Sequence, residues 1–157
     1  MAFFTSRYTN AEVANGLYYR VGISVGVPKF RLNYKIDEQC YMFAPTGAML
    51  RMTDDQYVDA YRRKLETSGI GKIRWMLNKL QENAAGKDVV LLCYEDIRDP
   101  DQWCHRTLLA EWVRENIGIS MEELADPGQI KYKNPARAKQ KQEEEVKAQF
   151  EQLTLFG

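Results

Sequence analysis

Asp88-Val89-Val90-Leu91-Leu92-Cys93-Tyr94 is an apolar run the length of one strand. Apolar residues at every position, rather than at every second one, belong to a strand covered on both faces, the usual setting of a parallel sheet. Upstream of it, Thr53-Asp54-Asp55-Gln56 has the form of a capping box. The helix it opens aligns Tyr57, Val58, Tyr61 and Leu65 on one face and ends near Gly69. After Gly71 a second helix sets Ile73, Met76, Leu77 and Leu80 at i, i+3, i+4 and i+7, and Gly86 stops it. Downstream, Asp99-Pro100-Asp101-Gln102 reads as a third helix start, with Leu108, Leu109, Trp112 and Val113 as its buried face and Gly118 as its end. Met1–Thr5 and the β-rich Tyr18–Val25 supply earlier strands, and Ile119–Leu124 a last short one. Residues 27–47 hold Pro28 and Pro45 and little periodicity, which predicts a long irregular excursion. Strands alternating with helices predict an α/β fold, a small and mostly parallel Rossmann-like sheet flanked by helices.

The chain of 157 residues is 45% hydrophobic and 28% charged, the composition of an ordinary globular domain. No apolar run reaches the length of a membrane span. Met1-Ala2-Phe3-Phe4 passes directly into polar residues, so no signal peptide is expected. Three cysteines, an odd number, fit free thiols and a cytoplasmic location. The 22 basic and 22 acidic residues cancel, which excludes a globally cationic nucleic-acid binder. They are segregated, however. Lys131, Lys133, Arg137, Lys139 and Lys141 occur without an intervening acid, whereas Glu95–Asp101 carries four acids and one Arg. The expected organisation is an α/β domain over 1–126, a charged helical arm over 127–151, its helix Pro135–Gln149, and a terminal peptide over 152–156.

In an open α/β sheet, ligands bind beyond the carboxyl ends of the strands. The strand Val89–Leu92 delivers Cys93, Tyr94 and Glu95 to that edge, and the next helix presents Trp103-Cys104-His105-Arg106 in its first two turns. A helix N-terminus favours an anion, and Arg106 would add a bidentate clamp. His105 is the single histidine. Three chemistries fit these residue types: a Cys104 thiolate nucleophile, a His105–Glu95 acid–base pair, or phosphate binding by Arg106 and His105 without reaction. The interval from Cys93 to Arg98 is one residue short of a cysteine phosphatase loop, and the loop is acidic, so that reading fails. The spacing of Cys93, Cys104 and His105 matches no familiar zinc site, and no metal is expected. Against these readings, Cys93 is also a place for an inert small hydrophobe, and Trp75, Trp103 and Trp112 are expected in the core.

The stretch Leu91-Leu92-Cys93-Tyr94-Glu95 followed by Cys104-His105-Arg106-x-Leu108-Leu109-Ala110-Glu111-Trp112 resembles the bacterial and archaeal family called domain of unknown function 488. Gly22-Ile23-Ser24-Val25, Pro28-Lys29, Tyr34, Ala44-Pro45 and Tyr57-x-x-x-Tyr61 are similar to it in order and spacing, over about residues 1–125. The resemblance implies an α/β fold and places Ser24, Lys29, Cys93, Glu95, Cys104, His105 and Arg106 among the signature positions. It supplies no reaction and no cofactor. Arg7, Ser24, Lys29 and Tyr94 make up the expected anion- or substrate-binding set, and Cys93, Glu95, Cys104, His105 and Arg106 the expected catalytic set.

Gln152-Leu153-Thr154-Leu155-Phe156 resembles the pentapeptide by which bacterial polymerases and repair proteins bind the replication sliding clamp. At average residue frequencies the pattern arises by chance about once per ~10⁵ positions. Leu153, Leu155 and Phe156 are its apolar anchors and Gln152 its hydrogen-bonding group. The expected partners are therefore a bacterial sliding clamp and, through the basic start of the arm, DNA threaded through it. Three functions remain open. The first is a replication- or repair-associated protein of bacterial or phage type, whose site binds or processes a nucleotide or a nucleic-acid phosphate or base. The second is an enzyme on an anionic metabolite or sulfur species with a Cys nucleophile. The third is a non-enzymatic clamp-binding adaptor or competitor.

Overall fold

In the computed structural model, which describes residues 1–156 except for the side chain of residue 156, five parallel strands form one sheet. They are β1 (Phe3–Arg7), β2 (Tyr18–Gly22), β3 (Glu38–Gln39), β4 (Asp88–Cys93) and β5 (Met121–Glu123), in the order β3-β2-β4-β1-β5. The apolar run is the central strand. Phe3–Arg7 pairs with Val89–Cys93 on one side, and Tyr18–Gly22 pairs with Asp88–Leu92 on the other. Every residue of β4 after Asp88 is buried, as a strand enclosed by neighbours and covered on two faces must be.

Three helices precede or follow that strand: α1 (Asp54–Ser68), α2 (Ile70–Ala84) and α3 (His105–Ile117). The capping box at the start of α1 is complete. Thr53 Oγ1 accepts from the Gln56 N–H at 3.4 Å, and the Thr53 N–H donates to Gln56 Oε1 at 3.2 Å, a device worth about 1 kcal/mol. Helix α2 buries Ile73, Leu77, Leu80 and Ala84. Trp75 lies off this stripe and is 58% exposed, against expectation; Trp103 is half-buried and Trp112 buried.

The two faces of β4 are covered differently. Val90 and Leu92 pack with Tyr8, Val13 and Leu124, and Leu32, Tyr34 and Ile36 close over them. The period-two alternation of a strand turns Val89, Leu91 and Cys93 the other way, toward the helical layer of α2 and α3. The excursion over 27–47 is thus a structural cover for one face, and it also contains β3, paired with β2. Strand β2 is shorter than the expected Tyr18–Val25. It ends at Gly22, where a Cβ would collide with the Gln39 side chain and the Tyr8 hydroxyl.

The expected helix start at Asp99 is replaced by a turn. Asp99 Oδ1 accepts from the Asp101 N–H at 3.0 Å, while Oδ2 accepts from Gln102 Nε2 and the Lys133 N–H, each at 2.8 Å. A carboxylate bonded to the backbone two residues ahead competes with helix formation, so α3 begins six residues later with Cys104 as its N-cap.

The chain forms two compact units, Met1–Glu95 with Cys104–Gly128, and Asp96–Trp103 with Gln129–Gly157. The second contains α4 (Pro135–Phe156), which continues through the terminal peptide instead of ending near Gln149. Within it Arg137 pairs with Asp101 at 3.1 Å. Among the described residues no helix is long and apolar enough to cross a membrane.

Candidate functional site

The carboxyl end of β4 and the N-terminus of α3 bring Cys93, Cys104 and His105 together. All three are buried, and their ligand-type atoms lie within 4.8 Å of one another. His105 Nδ1 is 3.7 Å from Cys93 Sγ and 3.7 Å from Cys104 Sγ. Its Nε2 is 2.7 Å from the carbonyl oxygen of Ile23, the residue just past β2. A carbonyl only accepts, so Nε2 carries a proton, and Nδ1 faces the two sulfurs. The Tyr61 ring meets the imidazole edge-on at 5.2 Å, and Tyr61 is itself fixed by donating to the Phe43 carbonyl at 2.7 Å.

Glu95, half-buried, stands beside this group, with Oε2 3.4 Å from Cys93 Sγ. Burial, together with the neighbouring Cys104, pushes its carboxyl pKa up to about 7. Cys104 moves in the opposite direction. Burial opposes its ionisation, but the Cys93 thiol, His105 and the Arg106 guanidinium outweigh it and hold its pKa well below the thiol range. The hydrogen bond to Cys104, followed by burial, pushes Cys93 up, so Cys93 is the protonated partner. Cys104 is also the N-cap of α3, where unpaired N–H groups favour a thiolate. Tyr57 on α1 belongs to the same environment; burial, then Cys104, Cys93 and Glu95, push its phenol up.

Arg106 is engaged elsewhere. Its Nη2 donates to Glu123 Oε1 at 2.7 Å and its Nε to Glu123 Oε2 at 3.1 Å, while the Thr5 hydroxyl donates to Glu123 at 2.6 Å. The side chain is 1% exposed. The expectation of a free anion clamp is therefore corrected: the guanidinium ties α3 to β5 and also lowers the Cys104 thiol pKa.

Of the expected anion-binding residues, Ser24 and Tyr94 meet at one backbone carbonyl, and Arg7 lies in an ion pair. Ser24 donates to the Gly26 carbonyl and receives from the Tyr8 hydroxyl, both at 2.6 Å, and Tyr94 also donates to Gly26 at 2.9 Å. These bonds shape the loop that presents the Ile23 carbonyl to His105. Lys29 is exposed on the same excursion. Arg7 pairs with Asp126 at 2.5 Å. The terminal peptide lies on α4, with Leu153 73% and Leu155 81% exposed and Gln152 exposed; the Phe156 side chain lies outside the described residues.

Ile23, Tyr57 and Glu123 carry roles at this site that the sequence alone does not assign. A backbone carbonyl leaves no mark in a sequence. Tyr57 stands in an apolar helix face and in the family-like Tyr57-x-x-x-Tyr61, neither of which assigns it to the site, and the acid paired with Arg106 comes from a strand seventeen residues away.

Chemically, the four gathered side chains can present a polarised sulfur with a carboxyl group able to donate a proton, or three soft donors around one point. A model of the family DUF488-N3a, described as the active DUF488-N3 subclade, matches residues 11–117, a span that holds the whole cluster and ends at the last residue of α3. No curated protein and no solved structure matches the chain.

Proposed function

The chain belongs to the DUF488 family, and on that premise we propose that it is an enzyme of DNA metabolism. Its reaction takes place at Cys93, Glu95, Cys104 and His105, on a nucleotide or a nucleic-acid phosphate or base. Gln152–Phe156 brings it to a bacterial sliding clamp. One observation carries the catalytic part: a buried imidazole with its second nitrogen turned on two thiols, at the carboxyl end of the central strand. Burying such groups costs about 1–3 kcal/mol for each one left poorly paired, and an apolar filling would be more stable. The family's description as an active subclade supports the same reading. Because Arg106 is committed to Glu123, substrate is oriented by Glu95, Tyr57 and the start of α3 instead of by a guanidinium clamp.

The link to DNA is carried by the tail. Its leucines are exposed, and three anchors worth ~1.5–3 kcal/mol each suit a micromolar peptide ligand after ordering costs. The decisive experiment incubates the full chain with single-stranded DNA, clamp-loaded duplex and nucleoside triphosphates, and follows products by mass spectrometry. Wild type should form a product that Glu95→Gln reduces by about 100-fold or more. Deleting residues 152–157 should reduce turnover on clamp-loaded DNA only. Turnover of small anions alone, indifferent to the tail, would transfer the site to metabolite chemistry. Clamp binding with no Glu95-dependent product would leave an adaptor.

A further inference from the structure

We propose that Cys93, Cys104 and His105 form a zinc site with an open fourth position, and that Glu95 serves the water held there; this rests on the reading of the cluster as a reaction centre. Tetrahedral zinc with bonds of about 2.3 Å to sulfur and 2.0–2.1 Å to nitrogen has sulfur–nitrogen edges of roughly 3.6 Å. The protein presents both of its sulfur–nitrogen edges at 3.7 Å. Two of the three edges of a coordination face are thus already at the required length, and the third, between the two sulfurs, lies within 4.8 Å.

Three further observations point the same way. A metal-ligating histidine nearly always donates its other ring N–H to a carbonyl or carboxylate, which fixes the tautomer that leaves a bare nitrogen for the metal. His105 does this through Nε2 to Ile23, and Tyr61 braces the ring. The donor softness is also selective, since two thiolates and an imidazole favour zinc over magnesium or calcium. Finally, the charges balance. Two thiolates neutralise a divalent ion, which suits ligands only 2–4% exposed, while the nearby guanidinium is neutralised separately by Glu123.

Three protein ligands with one place left over are the mark of a catalytic site, as opposed to a structural one. Glu95 lies next to the Cys93 sulfur, where it can take one proton from a metal-bound water and leave hydroxide on the ion. A His, two Cys and a non-ligating Glu are also the set with which zinc-dependent deaminases hydrolyse nucleobases. The reaction class that follows is hydrolysis: the hydroxide forms a C–O bond at an amino-bearing nucleobase carbon, the C–N bond breaks, and the amine leaves as ammonia with the proton returned by Glu95. The linear spacing argued against zinc because the ligands come from a strand end and a helix start, eleven residues apart, and not from a knuckle.

The test uses the full chain, stripped with chelator under reducing conditions and titrated with cobalt(II). One equivalent should bind, with a thiolate-to-cobalt charge-transfer band and the intense visible bands of tetrahedral coordination, and zinc should bleach both. Cys104→Ser and His105→Gln should weaken cobalt binding by more than about 100-fold, beyond the 10–100-fold typical of outer-shell changes. Glu95→Gln and Cys40→Ala, folded by circular dichroism, should retain the spectrum. Wild type that binds cobalt without charge-transfer intensity, or only octahedrally, overturns the site irrespective of any variant. Turnover that survives chelation but stops on alkylation of Cys104 also overturns the zinc site, yet leaves the proposed function standing. A normal cobalt spectrum with no product from DNA or nucleotides does the reverse.

Discussion

Arg106 pairs its guanidinium with Glu123 and also lowers the Cys104 thiol pKa, so this one residue supports both the packing of α3 on β5 and the charge state of the cluster. Its Nη1 is buried without a hydrogen-bond partner, the cost of placing a five-donor group where only one carboxylate reaches it. Removing one member of such a pair strands the other. Arg106→Met should therefore destabilise the α/β unit by about 2–4 kcal/mol in urea unfolding, slightly below the range for a fully buried pair because Glu123 is 31% exposed. Arg106→Met combined with Glu123→Leu should recover part of that loss. Equal stability of wild type and Arg106→Met would show that the bidentate pair is not formed. The identity of Arg106 as a special residue is legible from Cys104-His105-Arg106, but its role is not. A sequence shows that an arginine opens a helix; it does not show whether the side chain turns outward to a ligand or inward to a carboxylate from another strand.

At the scale of elements, legibility follows locality. The β4 run, the Thr53 capping box and the Gly118 stop depend on neighbours a few residues away, and all three form as their local chemistry dictates. The start of α3 does not, because Asp99 is drawn into bonds with Gln102 and with the distant Lys133 N–H. Helix α4 is a further case. Its charged repeats predict a helix, but that the helix runs on through the terminal peptide depends on the absence of a stop signal before Phe156. Val146, Phe150, Leu153 and Leu155 are all at least 65% exposed along it. A synthetic peptide of residues 145–157 should bind a bacterial sliding clamp with a micromolar dissociation constant. Leu155→Ala with Phe156→Ala should abolish this, since about 3–5 kcal/mol of anchor burial is removed. Exchange of Thr154 should be tolerated. Fluorescence anisotropy reads all three, and undiminished binding of the double variant would remove the clamp from the account.

For the whole molecule, the parallel sheet has one helical face and one face closed by the 27–36 segment, and the Cys93–Cys104–His105 cluster lies where β2, β4 and α3 meet at the carboxyl edge. Four of the five residues expected to be catalytic assemble there, because strand end and helix start converge in any sheet of this kind. Of the four expected to bind an anion, Ser24 and Tyr94 shape a loop, Arg7 is held in an ion pair, and Lys29 is exposed. His105, as the single histidine, is a natural reporter for the centre. Long-range ¹H–¹⁵N correlation spectra of the imidazole in the full chain therefore test the central claim most directly. The account predicts a proton held on Nε2 by the Ile23 carbonyl, and an Nδ1 whose shift moves when zinc is added. An Nε2 without a proton, or averaged signals of two exchanging tautomers as in a solvent-exposed ring, would contradict it.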